Sequence, residues 1–256
     1  MTDGREPTIG GARLCILPVR DDVAGAVAAL LTDTVRVNPR AVLGLATGGT
    51  MIPVYRQFLV LLQSHGIDAS RVTTFNLDEY VGLHRQHPQS YHTYMTRHLF
   101  RPGGFSPLRT FVPDGMAADL PRACDAYERA ICEAGGIDLQ LLGLGPNGHI
   151  GFNEPGTTWG SRTHVVTLSN ETRRANARFF RKTGTPVPLQ AITMGLRTIM
   201  EARRVVVVVV GRQKAEILAR VISSEPSVQY PATVLKGHTS VTWYVDEAAA
   251  SRLAPL

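Results

Sequence analysis

Four short stretches of this chain carry residue types that move protons or grip anions. Asp78 and Glu79 stand side by side after Phe75-Asn76-Leu77, and Asn147, His149 and Glu154 are interleaved with Gly145, Pro146, Gly148 and Gly151. Thr47-Gly48-Gly49-Thr50 follows one apolar run, and Gly211-Arg212-Gln213-Lys214 follows another. A carboxylate and an imidazole are the usual partners for general acid–base work near neutral pH. A glycine turn leading into a helix leaves backbone N–H groups open to an anion, and the helix N-terminus adds partial positive charge. Lys214 is one of only three lysines among 27 basic residues, and a compact ammonium suits a phosphate. The chemistry implied is acid–base catalysis on a small phosphorylated carbonyl compound. Taken singly, each signal stays open. A TGGT after a strand is often a mere turn. The adjacent carboxylates Asp78 and Glu79 could bind Mg²⁺, act as a base or cap the next turn, and only one of the two can face a given cleft.

These groups need a frame that brings them together. Apolar runs at 13–19, 41–46, 71–75, 137–144, 203–210 and 241–245 have the length and branching of strands. The run at 137–144 reads as a strand buried on both faces, as in parallel sheets. Helical spacing is expected over 23–35, with Asp21 or Asp22 as cap, and over 54–64, 90–100, 119–135, 169–180 with Ser169 as cap, 191–201, 215–221 and 246–253. Residues 163–168 alternate as a further short strand, and 182–188, with Gly184, Pro186 and Pro188, reads as a loop and lid hinge. Strands alternating with helices argue an α/β fold: one domain of three layers, αβα, with a largely parallel, Rossmann-like sheet. In such a sheet the carboxyl ends of the strands share one edge, where ligands bind. Every candidate group above lies at or just past such an end. Residues 1–10 read as a loose polar tail and 11–256 as the domain.

Composition excludes several classes. Hydrophobic residues at 44% and charged residues at 19% fit a globular protein rather than a disordered one. The run Val205–Val210 is far shorter than the ~20 residues of a membrane span, and MTDGREPTIG has no signal-peptide pattern; a cytoplasmic address is expected. Cys15, Cys124 and Cys132 form no C-x-x-C pair and read as reduced thiols. The net charge of +6 is spread without a basic run, so no nucleic-acid partner is expected. Its densest patch, Arg173, Arg174, Arg178, Arg181 and Lys182, reads equally as a solvated helix face or as a funnel for an anion. His84, His87, His92 and His98 match no compact zinc spacing, so no metal site is expected there. Neither the G-x-G-x-x-G of a dinucleotide site nor the G-K-[ST] of a P-loop occurs in the TGGT turn, so no cofactor is expected.

The segments TGGT (47–50), FNLDEYVGL (75–83), GPNGHIGFNEPG (145–156), SRTHVVTLSNETRRANARFF (161–180) and GRQKA (211–215) resemble those of the glucosamine-6-phosphate deaminase family, in order and over nearly the whole chain. The resemblance implies a catalytic domain that converts D-glucosamine 6-phosphate to D-fructose 6-phosphate and ammonia, by aldose–ketose isomerisation with loss of the amine, without metal or organic cofactor. By the same resemblance Asp78 is the base that carries the C2 proton to C1. His149 opens the pyranose ring, Glu154 orients the imidazole, and Asn147 belongs to the same loop. The backbone of Thr47, Gly48, Gly49 and Thr50, with Arg178 and Lys214, grips the phosphate. Arg173, Arg174 and Arg181 keep the solvated reading.

Two departures from the family pattern bear on these roles. Asn147 stands where some members carry Asp, which leaves orientation of His149 but no charge relay. His164 and Val166 stand where regulated members carry basic residues on a strand. The expectation is an enzyme without activation by an acetylated sugar phosphate, monomeric or a small homo-oligomer. Two rivals share the architecture. A 6-phosphogluconolactonase needs no base at C2, and a sugar-phosphate sensor needs a DNA-binding module and has no use for Asp78, His149 and Glu154 together.

Overall fold

Val207 of the strand Val205–Val209 sits in parallel register between Leu142 on one side and Trp243 on the other. All five valines of that strand are buried, as expected where helices cover both faces of a parallel sheet. Around it, in a computed structural model that describes residues 8–9, 12–181 and 184–254, the chain alternates strands and helices. The first half runs β1 (Thr8–Ile9), β2 (Ala12–Leu17), α1 (Arg20–Val37), β3 (Val42–Leu45), α2 (Met51–Ser64), β4 (Thr73–Asn76), β5 (Asp78–Tyr80), α3 (Tyr91–Met95), β6 (Thr110–Phe111) and α4 (Leu120–Glu133). The second runs β7 (Leu139–Gly143), β8 (His164–Thr167), α5 (Asn170–Phe180), β9 (Gln190–Thr193), α6 (Leu196–Met200), β10 (Val205–Val209), α7 (Ala215–Ser223), β11 (Val241–Asp246) and α8 (Glu247–Ala250).

The main sheet has the order β1-β2-β11-β10-β7-β3-β4-β6 and is parallel except at β1. Its four central strands, β10, β7, β3 and β4, end just before Gly211, Gly145, Thr47 and Asp78 respectively, so all four candidate segments leave the same sheet edge. This is the largely parallel α/β architecture that the alternation of apolar runs required.

A second sheet of three strands, β5-β9-β8, is antiparallel and was not foreseen. Asp78–Tyr80 pairs with Ala191–Thr193, which in turn pairs with His164–Val166. Residues 191–201 are therefore not the single helix that the spacing predicts. Ala191, Ile192, Thr193 and Met194 are buried as a strand with neighbours on both sides, and Gly195 then lets a short helix begin. Tertiary pairing overrides local propensity here. At Gly195 a side chain would strike the carbonyls of Ser161 and Arg162, which explains the glycine. The second sheet has its own small core of Tyr80, Leu83, Phe152, Leu168, Phe180, Val187 and Ala191.

Three smaller expectations change. Val19, without a side-chain bond, is the N-cap of α1, and Asp21 and Asp22 sit in its first turn, where their charge meets the helix dipole. Thr8 and Ile9 pair with Arg13 and Ala12, so this part of the expected tail is an edge strand; residues 1–7 and 10 lie outside the described residues. So do Lys182 and Thr183 of the expected lid hinge. The stretch 90–100 is helical throughout, α3 continuing as a π-turn over Thr96–Phe100.

Candidate active site

Asp78 opens β5 directly beyond the end of β4, and its side chain is 6% exposed. Among the described residues no hydrogen-bond donor engages its carboxylate. Burial, and the Glu79 carboxylate beside it, push it up to about 8. Buried phenols from three layers of the fold face it: Tyr55 of α2, Tyr80 and Tyr91, and Tyr127 of α4, all pushed above the usual tyrosine range chiefly by burial. A base for a carbon acid wants this environment, because a dry carboxylate with a raised pKa is the stronger proton acceptor. A side chain at Gly151 would come within 3.7 Å of the Asp78 carboxylate and 3.0 Å of the Thr193 hydroxyl, which places the 145–154 loop directly against the base.

That loop carries the candidate imidazole and its partners. His149 Nδ1 lies 2.7 Å from Asn147 Oδ1, and Asn147 Nδ2 donates to Glu154 Oε2 at 2.8 Å. The other Glu154 oxygen accepts from Ser169 at 3.1 Å and from Thr172 at 2.5 Å, both at the start of α5. Burial alone would raise the Glu154 carboxyl, but the nearby His149 and the bonds from Thr172 and Asn147 hold it down at about 2. Glu154 is thus a fixed anion. With the amide oxygen facing Nδ1, the imidazole keeps its proton on that nitrogen and leaves Nε2 as the free acceptor. The ring packs against Gly145, where a side chain would sit 2.2 Å from it, so any larger residue must displace the imidazole. Gly148 and Gly151, at φ of 85° and 58°, supply the left-handed turns that return the loop.

The anion side is built from two turns. Gly48 has φ 105°, and side chains at Gly48 or Gly49 would meet open space. Among the described residues, no acceptor engages the N–H groups of Gly48, Gly49 or Thr50 at the head of α2, the donors a phosphate would take. Gly48 and Gly49 are held from behind through their carbonyls, by Tyr94 at 2.8 Å and by Arg20 at 2.8 Å. Lys214 Nζ donates to Leu144 O at 2.7 Å, at the root of the His149 loop. Burial and the neighbouring Arg178 push its ammonium below the usual lysine range. Two cations crowding one half-buried spot is a geometry that an anion relieves. Asp246 fixes this turn by accepting from Gly211 N through both oxygens at 2.9 Å.

The structure therefore brings Asp78, Asn147, His149, Glu154, Thr47–Thr50 and Lys214 to one edge. Arg178 joins them at its rim, exposed on α5 and coupled to Lys214. Of the carboxylate pair, Asp78 faces the cleft. Glu79 turns away to accept from the backbone of Tyr80, Tyr91 and His92. His92 and His98 of the histidine-rich stretch are taken up with Arg85 and the Tyr94 ring. Sequence reasoning missed Tyr91, Tyr94, Thr172 and Asp246. Only the ST-x-x pattern at Ser169–Thr172 carried a signal, as a helix cap; the others act across contacts that spacing does not reveal.

Comparison with known proteins places the chain among its relatives. Residues 19–243 match the family described as glucosamine-6-phosphate isomerases/6-phosphogluconolactonase. The glucosamine-6-phosphate deaminase of Rhodopirellula baltica is 50% identical over 238 residues, 93% of this chain and 94% of that one. Glucosamine-6-phosphate deaminase 1 of Bacillus subtilis is 45% identical over 231 residues, 90% and 95% of the two chains. A solved monomeric glucosamine-6-phosphate deaminase superposes with a TM-score of 0.91 at 43% identity, over 93% of this chain and 99% of that one. The 6-phosphogluconolactonase of Trypanosoma brucei shares the fold, with a TM-score of 0.74 at 19% identity over 95% and 99%. With a family model matched over most of its length and relatives this similar along almost their full length, the chain belongs to the glucosamine-6-phosphate isomerase/6-phosphogluconolactonase family.

Proposed function

We propose that this protein is an enzyme that converts D-glucosamine 6-phosphate and water to D-fructose 6-phosphate and ammonia. The observation that carries the reading is the dry Asp78 carboxylate, pushed up to about 8, beside a loop whose His149 is fixed through Asn147 to the anionic Glu154. Lactone hydrolysis has no use for such a base, and the deaminases resemble this chain at 45–50% identity where the lactonase named above does so at 19%.

The steps follow from the groups. The phosphate sits on the N–H groups of Gly48, Gly49 and Thr50 with Lys214, and Arg178 closes on it from α5. His149 Nε2 takes the proton of the anomeric hydroxyl and returns one to the ring oxygen, which opens the pyranose. Asp78 removes the C2 proton and delivers it to C1. As the C1 carbonyl oxygen takes up a proton and the amine gives one up, the amine-bearing carbon becomes an imine; water adds there and ammonia leaves, giving the C2 ketone. Glu154 stays charged throughout and stabilises the imidazolium that forms in the first step.

The same reading places the enzyme in amino-sugar catabolism, in the cytoplasm, in the hydrolase class, and as a monomer or small homo-oligomer. No helix among the described residues is long and apolar enough to cross a membrane. With His164 and Val166 on β8, turnover should be hyperbolic and indifferent to N-acetylglucosamine 6-phosphate. An assay of ammonia release from glucosamine 6-phosphate, run beside loss of 6-phosphogluconolactone, tests the function directly. Lactone hydrolysis without ammonia release would refute it.

A further inference from the structure

The second carboxylate of the Asp78-Glu79 pair is 3% exposed and touches neither the cleft nor any of the groups assigned to the chemistry above. Its Oε1 accepts from Tyr80 N at 2.9 Å and Tyr91 N at 3.0 Å, and its Oε2 from His92 N at 3.0 Å. Together with Ser90, whose hydroxyl accepts from Thr93 N at 3.0 Å and whose carbonyl accepts from Tyr94 N at 3.0 Å, it satisfies every orphan donor at the head of α3. A lone serine cap would do much of this without burying a charge, so the helix end alone does not account for a carboxylate at this position.

What α3 carries gives the reason. Tyr91 donates to the Tyr80 hydroxyl at 3.3 Å, and Tyr94 donates to Gly48 O at 2.8 Å. Tyr94 thereby holds the turn assigned to the phosphate, and Tyr91 ties α3 to β5. One residue back along β5, Asp78 presents its carboxylate to the cleft. Glu79 thus stands between the base and the phosphate cradle, bonded to the element that shapes one and adjacent in the chain to the other.

We propose that Glu79 is a positioning residue for the reaction: it docks α3 so that Tyr94 sets the Gly48 turn while Asp78, its neighbour on β5, is held at the cleft. The proposal rests on the deaminase reading only in naming Asp78 as the base. The other titratable groups near Asp78 are Tyr80 from β5, Tyr55 from α2, Tyr91 from α3 and Tyr127 from α4, all neutral at working pH, and on the loop that Gly151 brings against it stand His149 and Glu154, tied to each other through Asn147. Burial raises the Glu79 carboxyl as well, to about 7, so above that pH it stands as a negative neighbour that raises Asp78, and no partner side chain among the described residues neutralises it.

The test is a ¹³C-NMR titration of the Asp78 carboxyl, assigned by its loss in Asp78→Asn, in the wild type and in Glu79→Gln. Fructose 6-phosphate affinity is measured alongside by calorimetry. The expected result is a midpoint lower by about one pH unit in Glu79→Gln, as for removal of a nearby like charge, with severalfold weaker sugar-phosphate binding. An unmoved midpoint with unaltered binding, and only a lower Tm, would reduce Glu79 to a helix cap and overturn the proposal. Should Glu79→Gln not fold, Tyr94→Phe cuts the tether to Gly48 alone. It should weaken fructose 6-phosphate binding severalfold and leave the Asp78 midpoint in place, and unchanged binding would overturn the proposal equally. Neither readout needs turnover, so a wild type that binds sugar phosphate but releases no ammonia would count against the deaminase reading and not against Glu79.

Discussion

His149 and Glu154 come within 3.7 Å of each other, nitrogen to oxygen, yet the contact that orders them runs through the Asn147 amide at 2.7 and 2.8 Å. The amide can face only one way, because Glu154 accepts and cannot donate. The imidazole tautomer is set by that choice. Asn147→Ala should therefore slow ring opening. Losing hydrogen bonds to a charged group costs about 1.5–3 kcal/mol, so kcat on the closed-ring sugar should fall roughly tenfold to a hundredfold, since each 1.4 kcal/mol is a decade. Asn147→Asp should keep turnover but move the pH profile upward, because a carboxylate against Nδ1 favours the imidazolium. Steady-state rates of the two variants across pH settle the point. An alanine variant within twofold of wild type would remove Asn147 from the mechanism.

Asp78 costs the fold stability in proportion to its fitness as a base. Its carboxyl is raised from 3.8 to about 8, so between those values the folded protein holds a proton that the unfolded chain releases. The folded state binds more protons, and stability must fall as pH rises across that window. Glu154 has the opposite sign: lowered from 4.5 to about 2, it stabilises above pH 4.5 and loses that contribution as pH falls toward 2. Asp78→Asn should then abolish exchange of the C2 hydrogen while raising Tm by several degrees at pH 8, given ~2–4 °C per kcal/mol for a chain of this size. The gain should vanish near pH 4. Calorimetric scans at the two pH values and solvent-isotope exchange read both arms. Native-like exchange in the variant would exclude Asp78 as the base.

The parallel sheet and the convergence of its strand ends were legible because buried parallel strands are written as short continuous apolar runs. Each one here, Val42–Leu45, Leu139–Gly143 and Val205–Val209, is followed by a glycine within a few residues. The second sheet was not legible. Asp78–Tyr80 is too short and too polar to announce a strand, and Gln190–Thr193 runs into Leu196–Met200 with apolar residues that fit a helix equally well. Asp78 was found through its motif and Glu79 was left ambiguous, since its role depends on Tyr91 and His92 arriving from another element. The Glu154–Thr172 bond was hidden for the same reason, as Thr172 showed only its helix-capping position.

Lys214 is a half-buried ammonium whose hydrogen-bond partner is a carbonyl and whose electrostatic neighbour is another cation, Arg178. Such a site is worth most when an anion fills it. Lys214→Gln should raise KM for glucosamine 6-phosphate about tenfold to a hundredfold with a smaller change in kcat, because the phosphate is remote from C1 and C2 and its grip acts on ground and transition states alike. The variant should also lose most of the rise in Tm that inorganic phosphate gives the wild type, as linkage requires. An unchanged KM, or equal protection of both proteins by phosphate, would place the anion elsewhere.

Gly145 offers a test of geometry with little change in chemistry. A Cβ there would stand 2.2 Å from the His149 ring, so Gly145→Ala must displace the imidazole. The ring is a side chain and can yield where backbone could not. Backbone strain is not the obstacle, since Gly145 does not have a positive φ. The displaced ring should lose the 2.7 Å contact to Asn147 and with it the fixed tautomer. A misplacement of about 1 Å at a catalytic group costs on the order of a hundredfold, so kcat should drop to that extent. C2 hydrogen exchange on substrate that is already open-chain should be largely spared, because Asp78 is approached by Gly151 and not by Gly145. Parallel assays of overall turnover and of exchange with a ring-opened analogue separate the two steps. Equal losses in both would show that His149 and Asp78 act as one unit.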